Sequence, residues 1–402
     1  MARFIVLVID SYGVGYMDDV LQVRPRDYGA NTSLHILDSV PDLYLPHFER
    51  LGLMNALGCD YKKMKMNGDA VFGKSRLQHY GGDTFLGHQE IMGTRTQKPL
   101  MKPFSFYIDQ VEAALKAAGH SVVRRKQNAE YLWVDDCVAV ADNLETDPGQ
   151  VYNVTTSFRN ISFEKELEIA KIVRSVVEVE RVIVFGGTKA TTESILAAET
   201  EREGKYIGID APKSLVYEEG YMVRHLGYGV VPEVQLPFLL GKKNIPCILI
   251  GKVADIVANA SGKSFLNLVD TKTILDVTIE RISLCDHGFI CVNVQETDLA
   301  GHAQNPERYA EVLGIVDGYI GKIIRLLKED DILVVTADHG NDPTIGHSQH
   351  TREYVPLLIY KQGVRAVNIG VRKTMADTAA TAAEFFSAEK PEAGESYLSY
   401  LV

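Results

Sequence analysis

The sequence predicts an α/β protein: an open sheet of buried strands, interrupted by an inserted α+β domain. Three observations predict it. Short runs of Ile, Leu and Val such as Ile332 to Val335 read as buried strands. Amphipathic stretches alternate with them; after Pro306, the residues Tyr309, Val312, Val316, Ile320, Ile323 and Leu327 form one apolar stripe that belongs to a core. Several of the apolar runs also stop abruptly at a carboxylate or an imidazole. In open α/β sheets, ligands bind beyond the carboxyl ends of the strands.

The chain has 402 residues, enough for two or three domains. With 46% hydrophobic and 24% charged residues it has the composition of a globular protein with a sizeable core. The formal net charge of -11 argues against nucleic acid or an anionic membrane as the main partner. It leaves an anionic small substrate open, because bound cations reverse the field within one cleft. Cys59, Cys137, Cys247, Cys285 and Cys291 are scattered, with no Cys-x-x-Cys pair. That fits a reducing cytoplasm without a disulfide framework. The apolar run Phe4 to Ile9 ends at Asp10 and is too short for a signal-peptide core or a membrane span.

Taken in order, Arg3 to Ile9 is the first buried strand, with Asp10 at its tip and the turn Ser11-Tyr12-Gly13-Val14-Gly15 after it. An Asp here also describes an ordinary turn cap. Gly29 to Thr32 and Leu45 to His47 look like loops and helix starts, and Phe48 to Met54 carries a short amphipathic pattern. Gly81-Gly82-Asp83 delivers Thr84 to a helix start, where free N–H groups favour an anion. Alone, this segment reads as a capped helix. A Thr hydroxyl becomes a nucleophile only when a base or metal removes its proton. His88 and Glu90 follow, either supporting such a site or lying on the helix surface.

Lys98-Pro99 and Lys102-Pro103 mark a linker, and residues 98–228 change in texture. Helices are predicted over 106–118 and 163–177. Strands are predicted over 120–124, 131–134, 151–154 and 181–187. This alternation suggests a self-contained insert, a cap domain, between core segments 1–97 and 229–402. Beyond it come a helix near 234–240 and the strand Pro246 to Gly251, which ends at Lys252. Lys252 either joins the rim that carries Asp10 or is a solvated lysine; the order of the sheet decides. The strand Gly288 to Asn293 is followed by Asp298 and His302, spaced to turn toward one centre. The strand Asp331 to Thr336 runs into Ala337-Asp338-His339-Gly340-Asn341-Asp342, with His347 and His350 in the same loop. Tyr354 to Tyr360 is a further strand, and a helix closes the pattern near 375–386. Carboxylate and imidazole together suit Mn²⁺ or Zn²⁺. Enough such groups sit at strand ends for two cations, which can clamp the attacking and leaving oxygens of a phosphoryl transfer.

Thr336-Ala337-Asp338-His339-Gly340-Asn341-Asp342-Pro343-Thr344 and His350-Thr351-Arg352-Glu353-Tyr354-Val355-Pro356 resemble the phosphopentomutase family of the alkaline phosphatase superfamily. Asp83-Thr84 with Gly87-His88 and Glu90, and Gly251-Lys252, match it too. The Asp298–His302 spacing is similar to that of the cofactor-independent phosphoglycerate mutase branch. The resemblance covers both core segments; the cap matches poorly. It implies an alkaline-phosphatase-like, doubly wound core. It implies that Thr84 carries the phosphoryl group, that Asp10, Asp338 and His339 hold one metal with Thr84, and that Asp298, His302 and His350 hold the other. Mn²⁺ is the usual metal, with Zn²⁺ or Mg²⁺ as alternatives. A sugar bisphosphate is the implied primer, a small phosphorylated sugar the implied substrate, and Lys252 the implied contact to its phosphate.

The chain departs from the family in three places. The family's Arg-Thr-x-Asn-Arg stretch before the core resumes is absent, and His347 stands where Gly is usual. Its Thr-Ser-Ala-Asp segment is matched best by Thr156-Ser157-Phe158-Arg159, with a base replacing an acid. Arg159 is therefore a candidate for binding a substrate anion, and the identity of the sugar stays open. A phosphosugar mutase is the first reading. A phosphatase or phosphodiesterase using the same phosphothreonine is the second, and a metal-retaining binding protein the third. A cap of about 130 residues favours transfer, which must exclude water.

Overall fold

The computed structural model describes residues 2–126, 128–146 and 148–402. They form two compact units, one built from the chain up to Thr96 and from Val231 to Val402, the other from Gln97 to Val230. Among the described residues no helix is long and apolar enough to cross a membrane.

The strands of the first stretch are β1 (Arg3–Ile9) and β2 (Val71–Ser75). The middle stretch contributes β3 (Val122–Lys126), β4 (Glu130–Val134), β5 (Val138–Asp142), β6 (Val151–Ser157), β7 (Arg181–Gly187), β8 (Glu199–Arg202), β9 (Tyr206–Ile209) and β10 (Met222–Gly227). The last contributes β11 (Cys247–Ile250), β12 (Lys263–Phe265), β13 (Gly288–Val294), β14 (Ile332–Thr336), β15 (Val355–Tyr360) and β16 (Val367–Arg372).

In the first unit eight strands form one sheet in the order β12-β11-β13-β1-β14-β15-β2-β16. Only β15 runs against its neighbours; the other adjacent pairs are parallel. Helices 271–284, 306–326, 32–39 and 46–51 pack through the long helix 306–326, while helices 236–242, 84–91 and 252–256 pack with helix 377–385 or with each other. Two such groups are what a doubly wound sheet requires, and the core is an α/β sheet of this kind. β1 lies at its centre, with Phe4 to Ile9 wholly buried. Each such side chain contributes roughly 1.5–3 kcal/mol, so the tip of β1 is anchored firmly.

The register of the central strands decides what meets at that tip. Val8 pairs with Thr336, and Ile9 pairs with Val294. Asp10 therefore stands level with Asp338 on one side and with the start of helix Glu296–His302 on the other. Ile250 pairs with Val292, which brings Lys252 to the same rim rather than to open solvent. Asp331, read as the first residue of a strand, instead precedes β14. It is buried at the opposite end of the sheet, where Arg3 donates to it through its backbone N (2.7 Å) and Nε (2.9 Å).

The second unit holds a six-stranded sheet, β10-β7-β6-β5-β4-β3, and the hairpin β8–β9. Only β6 and β7 pair in parallel, and helices 108–117 and 163–176 pack on this unit's core. The strand expected over 120–124 starts and ends two residues later. β5 escaped the sequence reading because two of its five residues are Ala, which weakens any strand pattern.

Glu166, on helix Phe163–Val176, is fully buried, and neither carboxylate oxygen has a hydrogen-bond partner. Burial pushes its pKa from 4.5 up to about 9. The folded chain thus keeps a proton that the unfolded chain releases, so stability falls as pH rises between those values. Asp142, raised by burial to about 7, adds to the lower part of the same slope. Glu166→Gln should therefore remove the loss of stability above pH 7, a gain of about 1–3 kcal/mol at pH 9. Thermal melts of both proteins across pH 5–9 check this; parallel curves would refute it.

Candidate active site

The carboxyl ends of β1, β13 and β14 bring Asp10, Asp298, Asp338 and His339 together. Asp298 and His302 lie one turn apart on helix Glu296–His302. Asp298 Oδ1 is 3.5 Å from His302 Nε2 and 3.2 Å from His350 Nε2. The two imidazole Nε2 atoms are 3.0 Å apart, and the His339 ring stacks on His350 at 3.9 Å. His339 Nε2 lies 3.2 Å from Asp338 Oδ2 and 3.7 Å from Asp10 Oδ1. Two groups result whose ligand atoms all lie within 4.8 Å of one another: Asp10, Asp338, His339, and Asp298, His339, His350.

The imidazoles are oriented by the backbone. Nδ1 of His302 meets Ser348 O at 2.6 Å, Nδ1 of His350 meets Gly82 O at 2.7 Å, and Nδ1 of His339 meets Gly340 O at 3.0 Å. A carbonyl only accepts, so each Nδ1 carries the proton and each Nε2 turns toward the centre.

Thr84 opens helix Thr84–Ile91, whose cap is the Asp83 carboxylate accepting from Leu86 N (2.8 Å). Thr84 Oγ1 donates to Asp338 Oδ2 at 2.7 Å. One turn on, buried His88 places Nδ1 2.8 Å from Thr84 O and 3.3 Å from Asp338 Oδ2, while Asn293 Nδ2 lies 2.9 Å from His88 Nε2. Glu90 is buried rather than on the helix surface. Its carboxylate accepts from Gln78 N, His79 N, His79 Nδ1, Thr374 Oγ1 and Met375 N, all within 2.6–3.1 Å. His79 Nε2 in turn accepts from Asp83 N at 3.3 Å. A buried relay thus fixes the residue preceding Thr84. Asn293 and His79 were not singled out in the sequence; an Asn inside an apolar strand was the signal, since a buried amide needs a partner.

Lys252 Nζ sits between Asp10 Oδ2 (2.9 Å) and Asp298 Oδ2 (3.3 Å). Burial alone would lower its pKa, but Asp10, Asp298 and Asp338 raise it. Burial, with Asp338 beside it, pushes the Asp10 carboxyl up to about 6. Burial also works against the Asp338 charge, yet His339 and His88 hold that carboxyl well below its ordinary value. Against burial, Asp338 lifts His339 to about 9. These are the signs of a site with too much negative charge for its size.

The donor set fits divalent cations. Asp10 Oδ1, His339 Nε2 and Asn341 Oδ1 are buried without a hydrogen-bond partner. Carboxylate oxygen and neutral imidazole are ligands that Mn²⁺ and Zn²⁺ accept. His347 lies apart from this centre, with Nε2 3.1 Å from Asp27 Oδ1. Arg159 belongs to the other unit, where it is exposed and its Nε donates to Thr188 O (2.6 Å).

Known proteins resemble the whole chain. Phosphopentomutases of Alkaliphilus oremlandii (strain OhILAs) and Clostridioides difficile (strain 630) are 29% and 27% identical over 406 and 404 residues. The first alignment covers 100% of both chains, the second 99% of both. A solved phosphoglycerate mutase of Leishmania mexicana aligns over 98% of this chain and 96% of its own, at 12% identity and a TM-score of 0.45. A family profile described as the Metalloenzyme superfamily matches residues 2–390, a span that takes in Asp10, Thr84, Lys252, Asp298, His302, Asp338, His339 and His350 alike. By that match, the chain belongs to the metalloenzyme superfamily.

Proposed function

We propose that this protein is a phosphopentomutase-like, two-metal phosphosugar mutase that moves a phosphoryl group between positions of a small sugar phosphate through phosphorylated Thr84. The observation that carries the reading is the 2.7 Å hydrogen bond from Thr84 Oγ1 to Asp338 inside a cluster of buried carboxylates and imidazoles. Full-length similarity to phosphopentomutases supports ribose 1-phosphate and ribose 5-phosphate, or a related pair, as substrates.

In this reading Asp10, Asp338 and His339, with Thr84, hold one cation, and Asp298, His302 and His350 hold the other. Mn²⁺ is the first choice, ahead of Zn²⁺ and Mg²⁺. Bound there, such cations supply charge stabilisation for the transferring phosphoryl group and a lowered pKa for the threonine hydroxyl. They also answer an electrostatic difficulty. Three carboxylates crowd around Lys252 and His339, and a phosphate would otherwise be repelled.

Asp338 accepts the Thr84 hydroxyl and aims its oxygen. When phosphothreonine donates, its Oγ–P bond breaks, a bond from phosphorus to the sugar hydroxyl oxygen forms, and the hydroxyl proton ends on Thr84 Oγ1. The resulting bisphosphate turns over and returns its other phosphate to Thr84. A sugar bisphosphate primer can load Thr84 initially. Lys252, no longer needed between the neutralised carboxylates, meets a substrate phosphate. Residues 98–228 serve as an inserted cap and substrate domain, whose Arg159 is the candidate for contacting a substrate anion, and 1–97 with 229–402 as the metal-binding catalytic core. Five free cysteines and net charge -11 favour a cytoplasmic enzyme whose partners are neither nucleic acid nor membrane.

The test is to incubate Mn²⁺-loaded protein with ribose 5-phosphate and a bisphosphate primer. Isomerised product supports the reading; release of free phosphate alone would make the protein a phosphatase. Arg159→Ala should raise KM for the sugar phosphate about tenfold and leave kcat within about twofold, as expected when one charge-assisted contact is lost. An unchanged KM would remove Arg159 from the substrate contacts.

A further inference from the structure

Glu353 is fully buried three residues beyond His350 and makes no hydrogen bond to any of the six candidate metal ligands. Its Oε1 accepts from Thr32 Oγ1 and Thr351 Oγ1, both at 2.6 Å. Its Oε2 accepts from Thr32 N (2.9 Å) and Gly15 N (3.1 Å). Three chain segments therefore close on one carboxylate. The first follows β1 and carries Asp10, the second opens helix Thr32–Ser39, and the third follows β14 and carries Asp338, His339 and His350. Two glycines show how tightly. A Cβ added at Gly13, in the first loop, or at Gly340, beside His339, would overlap a Glu353 carboxylate oxygen. Around this point the loops also pair through backbone: Val14 N to Tyr354 O (2.8 Å), Tyr354 N to Gly15 O (2.9 Å), and Thr351 N to Gly340 O (2.7 Å).

We infer that Glu353 is a positioning residue: its carboxylate clasps the Asp10 loop to the loop bearing Asp338 and His350 and so sets the spacing of the two cation sites. The inference rests on the two-metal reading above. A carboxylate is required because all four partners are donors, and an ionised carboxylate has only acceptor sites to offer them. Gln in its place turns one NH₂ toward an N–H or a hydroxyl, and the clasp opens on that side. Four of the candidate ligands, Asp10, Asp338, His339 and His350, lie one to three residues from a residue packed against or bonded to the Glu353 carboxylate. Loosening the clasp therefore displaces ligands on both loops at once. A role in packing alone would lower stability and leave the cation affinity of the folded protein unchanged.

Calorimetric titration of the metal-free protein with Mn²⁺, well below its melting temperature, separates the two. Wild type should bind two ions. Glu353→Gln should weaken binding about 10–100-fold, the range seen when groups that orient metal ligands are lost. Thr32→Val keeps the carboxylate and removes one donor, and should fall between wild type and Glu353→Gln. It carries the test should Glu353→Gln fail to fold. Folded variants that bind Mn²⁺ as tightly as wild type would overturn the role of Glu353 alone. A wild type that binds no Mn²⁺ would overturn the two-metal reading and this inference with it.

Discussion

Thr84→Ala should abolish mutase turnover, by about 10³-fold or more, while Mn²⁺ binding persists. The size follows from covalent catalysis: without the hydroxyl there is no phosphoenzyme, and each factor of ten in rate is about 1.4 kcal/mol of barrier. Retention of metal follows from the ligand set. The carboxylates and imidazoles of both groups do not include Thr84 and stay in place; Thr84 Oγ1 touches the first group through its hydrogen bond to Asp338. The helix should also survive, since its cap is the Asp83 side chain bonded to Leu86 N, and Ala is the best helix former. Turnover assays, metal analysis and mass spectrometry for phosphorylated Thr84 in the wild type check the three parts. Activity near wild type in this variant would remove Thr84 from the mechanism.

Asp338→Asn should lose both turnover and metal, and this contrast with Thr84→Ala is the informative part. Asp338 Oδ2 receives Thr84 Oγ1 at 2.7 Å, while Oδ1 accepts Ser11 N at 2.9 Å. His339 Nε2 lies 3.2 Å from the same Oδ2. One residue thus holds the Thr84 hydroxyl and joins the β1 and β14 loops, and in the proposed mechanism it also supplies charge to the first cation. An amide of the same shape keeps the volume and removes the charge. Mn²⁺ affinity should fall by about 10²-fold or more and turnover by about 10⁴-fold, because losing a ligand also removes the activation of Thr84. Metal content measured after dialysis distinguishes the two variants. If Asp338→Asn holds metal as wild type does, Asp338 is not a ligand.

The rim of this site was legible in the sequence to the extent that strands carried it. Asp10 directly follows the apolar run Phe4 to Ile9, and Asp338-His339 come just after Ile332 to Val335 and Thr336-Ala337, so the strand ends that present them were visible. Parallel in-register pairing of β1 with β13 and β14 then places them level. Lys252 was ambiguous until the sheet order put β11 beside β13. Thr84 was legible only through family resemblance, because Gly81-Gly82-Asp83-Thr84 describes any capped helix. The supporting polar groups were least visible. Asn293 and Glu353 act through partners distant in sequence, and His79 through a loop contact to Asp83 and Glu90; no local periodicity marks such contacts. β2, β12 and β16 were unseen for a different reason. β12 has three residues, and β2 and β16 each contain a glycine at their mutual contact, which breaks the apolar alternation.

The proposed phosphoryl transfer requires two cations beside one threonine hydroxyl. Anomalous diffraction from crystals of the Mn²⁺-loaded protein, collected on either side of the manganese edge, tests that most directly. Two peaks are expected, one among Asp10, Asp338, His339 and Thr84, the other among Asp298, His302 and His350. A loaded crystal with no peak among these residues, or with manganese held elsewhere, would contradict it.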